Sequence, residues 1–263
     1  MNAALHTRAV ALLATLTLTA LTSCGSDGDT EPWELEFLEP GALTGAPSEI
    51  WFAHHAEALG EDVVDVYING ERVVDDLVIH HASATVPAPV GAFEVELRDA
   101  SGEERLGSWT ITPTGSLIVF AGSSGITVAD VDLEAGAPAD SIKLTVVHAA
   151  QGADPFDMRV DDSIWELVFD SGGYLDVSAP FTRPLKQSEI TGLDLFTIAL
   201  AITNAGSLDA DEDPGLGRYY SLFIDSTRLG GLAGAIVYTN SGRGEAWFMH
   251  TGEGRGQQLE EGL

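Results

Sequence analysis

From Ile50 onward the apolar positions recur with a period of two, and few windows hold an apolar period near 3.6. Val64, Val66 and Ile68 alternate with Asp65, Tyr67 and Asn69, and Phe93-Glu94-Val95-Glu96-Leu97-Arg98 alternates more cleanly still. Successive side chains on a strand point to opposite faces, so these runs read as strands with one face in a core. Asn69-Gly70 is a hairpin signal, and Asp99-Ala100-Ser101-Gly102 marks a further turn. Trp109-Thr110-Ile111 and Leu117-Ile118-Val119-Phe120 follow at the spacing of a sandwich or barrel. After a small-residue linker, Ala135 to Asp140, the run Ile142 to His148 opens a second set of strands. Asp157 to Val160, Leu167 to Phe169, Phe196 to Ile202, Ser221 to Ile224, Ala235 to Tyr238 and Ala246 to His250 complete it. The pattern predicts an all-β protein with helix confined to short pieces.

The N-terminus has a different pattern. His6 and Arg8 precede an uncharged run, Ala9 to Thr22, that is too short to span a bilayer as a helix. A cationic start, a short apolar core and small residues at the exit make a secretory signal peptide. The run closes on Leu21-Thr22-Ser23-Cys24, which resembles a bacterial lipobox and carries the chain's only cysteine. The resemblance implies cleavage between Ser23 and Cys24, lipidation of the Cys24 thiol and acylation of the new N-terminus. Several acyl chains, each gaining about 0.8 kcal/mol per buried methylene, anchor stably without a transmembrane helix. Gly25 follows the cysteine, where Asp would resemble an inner-membrane retention signal, so the expected address is the outer membrane or cell surface. Residues 1–23 are therefore read as signal peptide and 24–47 as a polar, lipid-anchored tether.

Charge narrows the list of partners. The full chain has 12 Lys and Arg against 41 Asp and Glu. Loss of residues 1–23 removes only Arg8, leaving 11 basic residues and a formal charge of −30. Such a surface repels nucleic acid, which is excluded as a partner, and anionic lipid headgroups. With no second cysteine, the folded part must be held by its apolar cores.

The two halves resemble each other. Ile50-Trp51-Phe52-Ala53-His54-His55-Ala56 parallels Leu144-Thr145-Val146-Val147-His148-Ala149-Ala150, and in each a strand ends in His-Ala before a polar loop. Asp65-Val66-Tyr67-Ile68-Asn69-Gly70 and Asp157-Met158-Arg159-Val160-Asp161-Asp162 then lead into turns. A repeat of about 90 residues means duplicated domains, because solenoid periods are shorter. At His55-Ala56, Val64-Asp65-Val66-Tyr67, Gly70 and Thr85 to Gly91 the chain resembles the DUF4397 family of bacterial exported and cell-surface domains. The second copy departs from that pattern at Met158-Arg159 and Asp162, and residues 203–218 read as an insertion. The resemblance implies tandem immunoglobulin-like β-sandwich domains, at 48–136 and 140–250, with 251–263 as a frayed tail. It implies a surface role and no particular activity.

The candidate site residues follow from the repeat and from one acidic loop. His55 and His148 are taken as equivalent, and two roles fit them: a metal or ligand contact, or an imidazole whose ring nitrogens bond loop backbone. No nearby Cys or second paired His recurs in the second half to complete a metal set, which favours the backbone role. Asp65 and Asp157 are expected to accept loop amide hydrogen bonds. His54-His55 and His80-His81 are adjacent pairs on strands, so one histidine from each pair can meet on a face and hold Zn²⁺ weakly. Asp209, Asp211 and Asp213 alternate ahead of Pro214-Gly215 and resemble the start of a calcium loop, against the simpler reading of a solvated acidic turn. No Gly-x-Ser-x-Gly, His-Glu-x-x-His or phosphate-cradling glycine loop occurs. The function expected is a non-catalytic envelope protein of binding or structural type, anchored to the membrane through Cys24 and facing an unidentified envelope or extracellular partner. A secreted polysaccharide hydrolase and a calcium-dependent adhesive module are the alternatives. A calcium site at 209–215 predicts that millimolar Ca²⁺, but not Mg²⁺, raises the thermal unfolding temperature by several degrees. Superimposable curves with Ca²⁺ and with chelator would leave the loop as solvated acid.

Overall fold

The computed structural model describes residues 47–131, 141–161, 165–184, 186–187, 195–205, 218–225, 233–239, 245–250 and 254–261. In the first half the strands are β1 (Glu49–His55), β2 (Val63–Ile68), β3 (Glu71–Val78), β4 (His81–Ala82), β5 (Val86–Pro87), β6 (Phe93–Asp99), β7 (Arg105–Ile111), β8 (Leu117–Ala121) and β9 (Gly125–Ala129). The second half has β10 (Ser141–His148), β11 (Phe156–Asp161), β12 (Trp165–Gly172), β13 (Phe181–Pro184), β14 (Lys186–Gln187), β15 (Leu195–Asn204), β16 (Arg218–Asp225), β17 (Ala233–Thr239) and β18 (Glu245–Met249). Three short strands close the chain: β19 (Gly254–Arg255), β20 (Gln257–Gln258) and β21 (Glu260–Glu261). The helical content among the described residues is one 3₁₀ turn, Glu57–Leu59.

Each half is a β-sandwich. In the first, the sheet β3-β2-β6-β7 packs on the sheet β4-β1-β8-β9. Ile50 and Phe52 of β1, Val64 and Val66 of β2, Val95 and Leu97 of β6, and Ile118 and Phe120 of β8 fill the space between them. In the second, β12-β11-β15-β16 packs on β13-β10-β17-β18 around Leu144, Val146, Met158, Leu200, Ile236 and Phe248. The matching sheets share a signature: β1 runs parallel to β8, and β10 runs parallel to β17. At Asn69 and Gly70 the backbone turns with φ of 50° and 83°, the left-handed pair that a two-residue hairpin between β2 and β3 demands.

The sandwiches are not strung apart on a linker. Their inner sheets, those of β1 and β10, pack on each other through a third core. Trp51, Ala53, Leu117 and Val119 enter it from the first half, and Val147, Ala235, Val237, Trp247 and Met249 from the second. The inner strands are therefore buried on both faces, and all five residues of β8 are buried. Such strands read as continuous apolar runs, whereas the outer β6 alternates because one of its faces meets water. Four sheets thus stack in layers, with three cores between them.

The C-terminal residues correct the expectation of a frayed tail. β19 pairs with β4 of the first half, β20 with β18, and β21 with β16. Those three partners are strands whose outward backbone groups need hydrogen bonds, and the end of the chain supplies them. The tail therefore ties the second half to the first.

Because the middle core belongs to both sandwiches, truncation there should weaken both. Leu117→Ala is expected to cost about 2–5 kcal/mol and to leave a single calorimetric transition at a lower temperature. Two separate transitions, with only one shifted, would mean that the halves fold independently.

Candidate functional site

Where β1 and β10 end, each strand must release its chain into a loop while its last side chains stay buried. A histidine makes this joint in both copies. His54 accepts a hydrogen bond at Nδ1 from the amide of Ala56 (3.2 Å), and its Nε2 lies 3.1 Å from the carbonyl of Glu61. His148 accepts at Nδ1 from Ala150 (3.2 Å), with Nε2 3.5 Å from the carbonyl of Asp154. The ring thus bridges the strand end to the far side of its loop. The equivalent of His148 is therefore His54, correcting the expected match with His55. His-Ala occurs in both copies, but hydrogen bonds count from the strand, and their register makes Ala149 the equivalent of His55.

A serine completes the joint. Ser83 Oγ accepts from the amide of Phe52 and donates to the carbonyl of Ala84, at 2.9 and 2.7 Å. Ser178 Oγ does the same with Val146 and Ala179, at 2.9 and 3.0 Å. Neither serine carries a motif visible on its own. Aligning the copies at Ser83-Ala84 and Ser178-Ala179 is the signal that finds them.

The repeat aspartates sit at β-bulges. Asp65 of β2 accepts the amide of Asp76 (3.0 Å), and Asp157 of β11 accepts that of Ser171 (2.7 Å). Asp76 and Ser171 have φ of 53° and 49°, and the pairing register slips beside each aspartate. A bulge leaves an amide without a ladder partner, and the buried carboxylate takes it. Arg72 also donates to Asp65 (3.1 Å) and Asp75 (2.7 Å), so a guanidinium already answers two of the three close carboxylates of Asp65, Asp75 and Asp76.

His55 lies on the opposite face of β1 from His54, fully buried in the seam between the sandwiches. Its Nδ1 is 3.1 Å from Nδ1 of His80, so one histidine of each adjacent pair does meet. Among the described residues no third His, Cys, Asp or Glu joins the two in a ligand cluster, and zinc wants three or four ligands. His80 instead stacks flat on Trp247 of the second half, with centroids 4.1 Å apart and planes 6° from parallel. Cys24, Asp209, Asp211 and Asp213 lie outside the described residues.

The described residues thus define an all-β protein of two fused β-sandwiches, in which the polar residues of the repeat serve chain joints and bulges. No protein-family model matches the sequence, and no curated protein matches it significantly. Among solved structures it is similar to one described as α-glucan binding by a streptococcal virulence factor, with 8% identity over 74% of this chain and 94% of that one and a TM-score of 0.25. It is also similar to family 41 carbohydrate-binding modules from streptococcal virulence factors, with 10% identity, 73% and 94% coverage and a TM-score of 0.23. A third is a family 26 carbohydrate-binding module of Eubacterium rectale Amy13K in complex with maltoheptaose, with 10% identity, 82% and 97% coverage and a TM-score of 0.24. Similarity at this level transfers no ligand to this chain.

Burial pushes the pKa of His54 down to about 4, against the smaller opposing effect of the Glu61 carbonyl. Burial lowers His148 as well. The folded protein keeps these rings neutral, while the unfolded chain binds protons below about pH 6.5. Stability is therefore full above that pH and lost as pH falls toward about 4. For His54 the loss is on the order of 3 kcal/mol. Urea denaturation across this range should show the fall, and His54→Gln should reduce it by about that amount. An unchanged fall in that variant would place the proton uptake elsewhere.

Proposed function

We propose that this chain is a lipid-anchored, non-catalytic protein of the bacterial cell envelope, which presents two fused β-sandwiches as a binding or structural module. The observation that carries the non-catalytic reading is where the recurring polar residues spend their hydrogen bonds. His54, His148, Ser83, Ser178, Asp65 and Asp157 each accept a backbone amide of the chain itself. Groups committed in this way set loop geometry and are poorly placed to move protons on a substrate. A double-sandwich body with a shared core suits a rigid platform, whose loops supply recognition. The anchor reading rests on Leu21-Thr22-Ser23-Cys24 and on the lack of any other cysteine.

Metabolic labelling with a palmitate analogue tests the anchor. The protein is expected to take up label and to fractionate with membranes, and Cys24→Ala should abolish the label and release soluble protein. A labelled or still membrane-bound Cys24→Ala protein would sink the reading.

A further inference from the structure

The seam between the sandwiches has two ends related by the repeat. His80 donates its amide to the carbonyl of His54 (2.7 Å), and Leu175 donates its amide to that of His148 (2.8 Å). Both are left-handed, with φ of 59° and 70°, an uncommon conformation for such side chains. His80 and Leu175 are therefore equivalent, as are His55 and Ala149, and Glu57 and Gln151 by the same register. Each set touches the opposite copy. His80 stacks on Trp247, while the carbonyl of Leu175 accepts from Thr127 Oγ1 (2.9 Å). Trp247 stands opposite Val237 as Thr127 stands opposite Val119, so the contacts are reciprocal. The Glu57 carboxylate faces Thr239 and Glu245 of the second half, and Gln151 Oε1 accepts from the amide of Ser123 (2.9 Å). One end of the seam is thus His55, Glu57 and His80. The other builds the same backbone from Ala149, Gln151 and Leu175, none of which titrates. The fold alone does not require the histidines.

Their proton inventory is tight. A contact between two Nδ1 atoms needs one donor and one acceptor. His80 Nε2 is 3.7 Å from Glu57 Oε1, so its proton belongs on Nε2, facing the carboxylate. His80 Nδ1 is then the acceptor and His55 Nδ1 the donor. That leaves His55 Nε2 bare and buried without a partner. A first further proton on His55 Nε2 lets the shared Nδ1 proton pass to His80, which keeps the Nδ1 contact but leaves a buried His55 N–H with no acceptor. A second proton sets two N–H groups face to face. Around the pair stand His54 of β1, Glu57 of the 3₁₀ turn, Asp62 ahead of β2, His81 of β4, Glu245 of β18 and Arg255 of β19. Glu245 and Asp62 favour a cationic His80, Arg255 and His81 oppose it, and burial outweighs them all.

We propose that this end of the seam is an acid-sensitive latch: proton uptake by His55 and His80 parts the rings and frees Trp247, while the Ala149-Gln151-Leu175 end stays closed. The sandwiches then loosen at one end without unfolding. Because the folded pair resists protonation, the latch is shut above about pH 6.5 and opens as pH falls below it. His54 and His148 make the same backbone bonds at the two ends, but burial perturbs His54 more strongly, so it is substitution of His55, Glu57 and His80 with His54 left in place that isolates the pair.

Hydrogen exchange of the full acylated protein in detergent, corrected for intrinsic rates, tests this. Between about pH 7.5 and pH 5, segments 79–82 and 245–249 are expected to lose roughly tenfold or more in protection. Segments 125–129 and 174–177 should keep theirs. The triple variant His55→Ala, Glu57→Gln, His80→Leu writes the neutral end into the titrating one and should abolish the difference. If that variant does not fold, His80→Asn, which tolerates a left-handed backbone, should lower the opening pH by about one unit. Equal loss at both ends, no loss at either, or a pH response that the substitutions leave unchanged would overturn the proposal.

Discussion

Burial of β1 and β8 on both faces is the constraint on which the rest of this structure depends. Ile50 and Phe52 face one core, Trp51 and Ala53 another, and the parallel β8 repeats the arrangement with Ile118 and Phe120 against Leu117 and Val119. A strand so placed has no face left for polar side chains. Its polar side chains are pushed to its end, which is where His54 and His55 are found. The second half meets the same constraint through β10 and β17 and answers it with His148 and Ser178. The joints are therefore consequences of the layering, and their repetition follows from the repetition of the layers.

The two copies meet as an isologous pair would, each offering the other the same surface. Gene-level duplication explains the reciprocity, and divergence explains where it breaks. His80 and Leu175 hold the same left-handed position, yet one stacks on an indole and the other lends its carbonyl to a threonine. Beyond them the copies part further, since β19 crosses from the second half to pair with β4, and the amide of Gly256 just after it donates to the His80 carbonyl at 2.7 Å. A covalent pseudo-dimer can carry such asymmetry, because its two ends are free to differ in sequence.

Much of this was legible in the chain. Alternation at Phe93 to Arg98 and the Asn69-Gly70 turn mark an outer sheet and its hairpin, because water on one face and two left-handed residues each leave a local imprint. The continuous run Leu117 to Ala121 also held the clue to a third core, since only burial on both faces removes the alternation. Register was harder to read. His54-His55-Ala56 offers two histidines for one equivalence, and a one-residue slip reverses which face each occupies.

The sequence by itself determined the strand content, the duplication, the acidic surface and the lone cysteine, all of which are local or compositional. Tertiary structure alone decided that the sandwiches share a core, that His54 rather than His55 matches His148, and that the C-terminal residues close three sheet edges. Each of those rests on which distant backbone group or side chain fills a space. Spacing along the chain encodes the face a residue turns to, but not the partner that waits there.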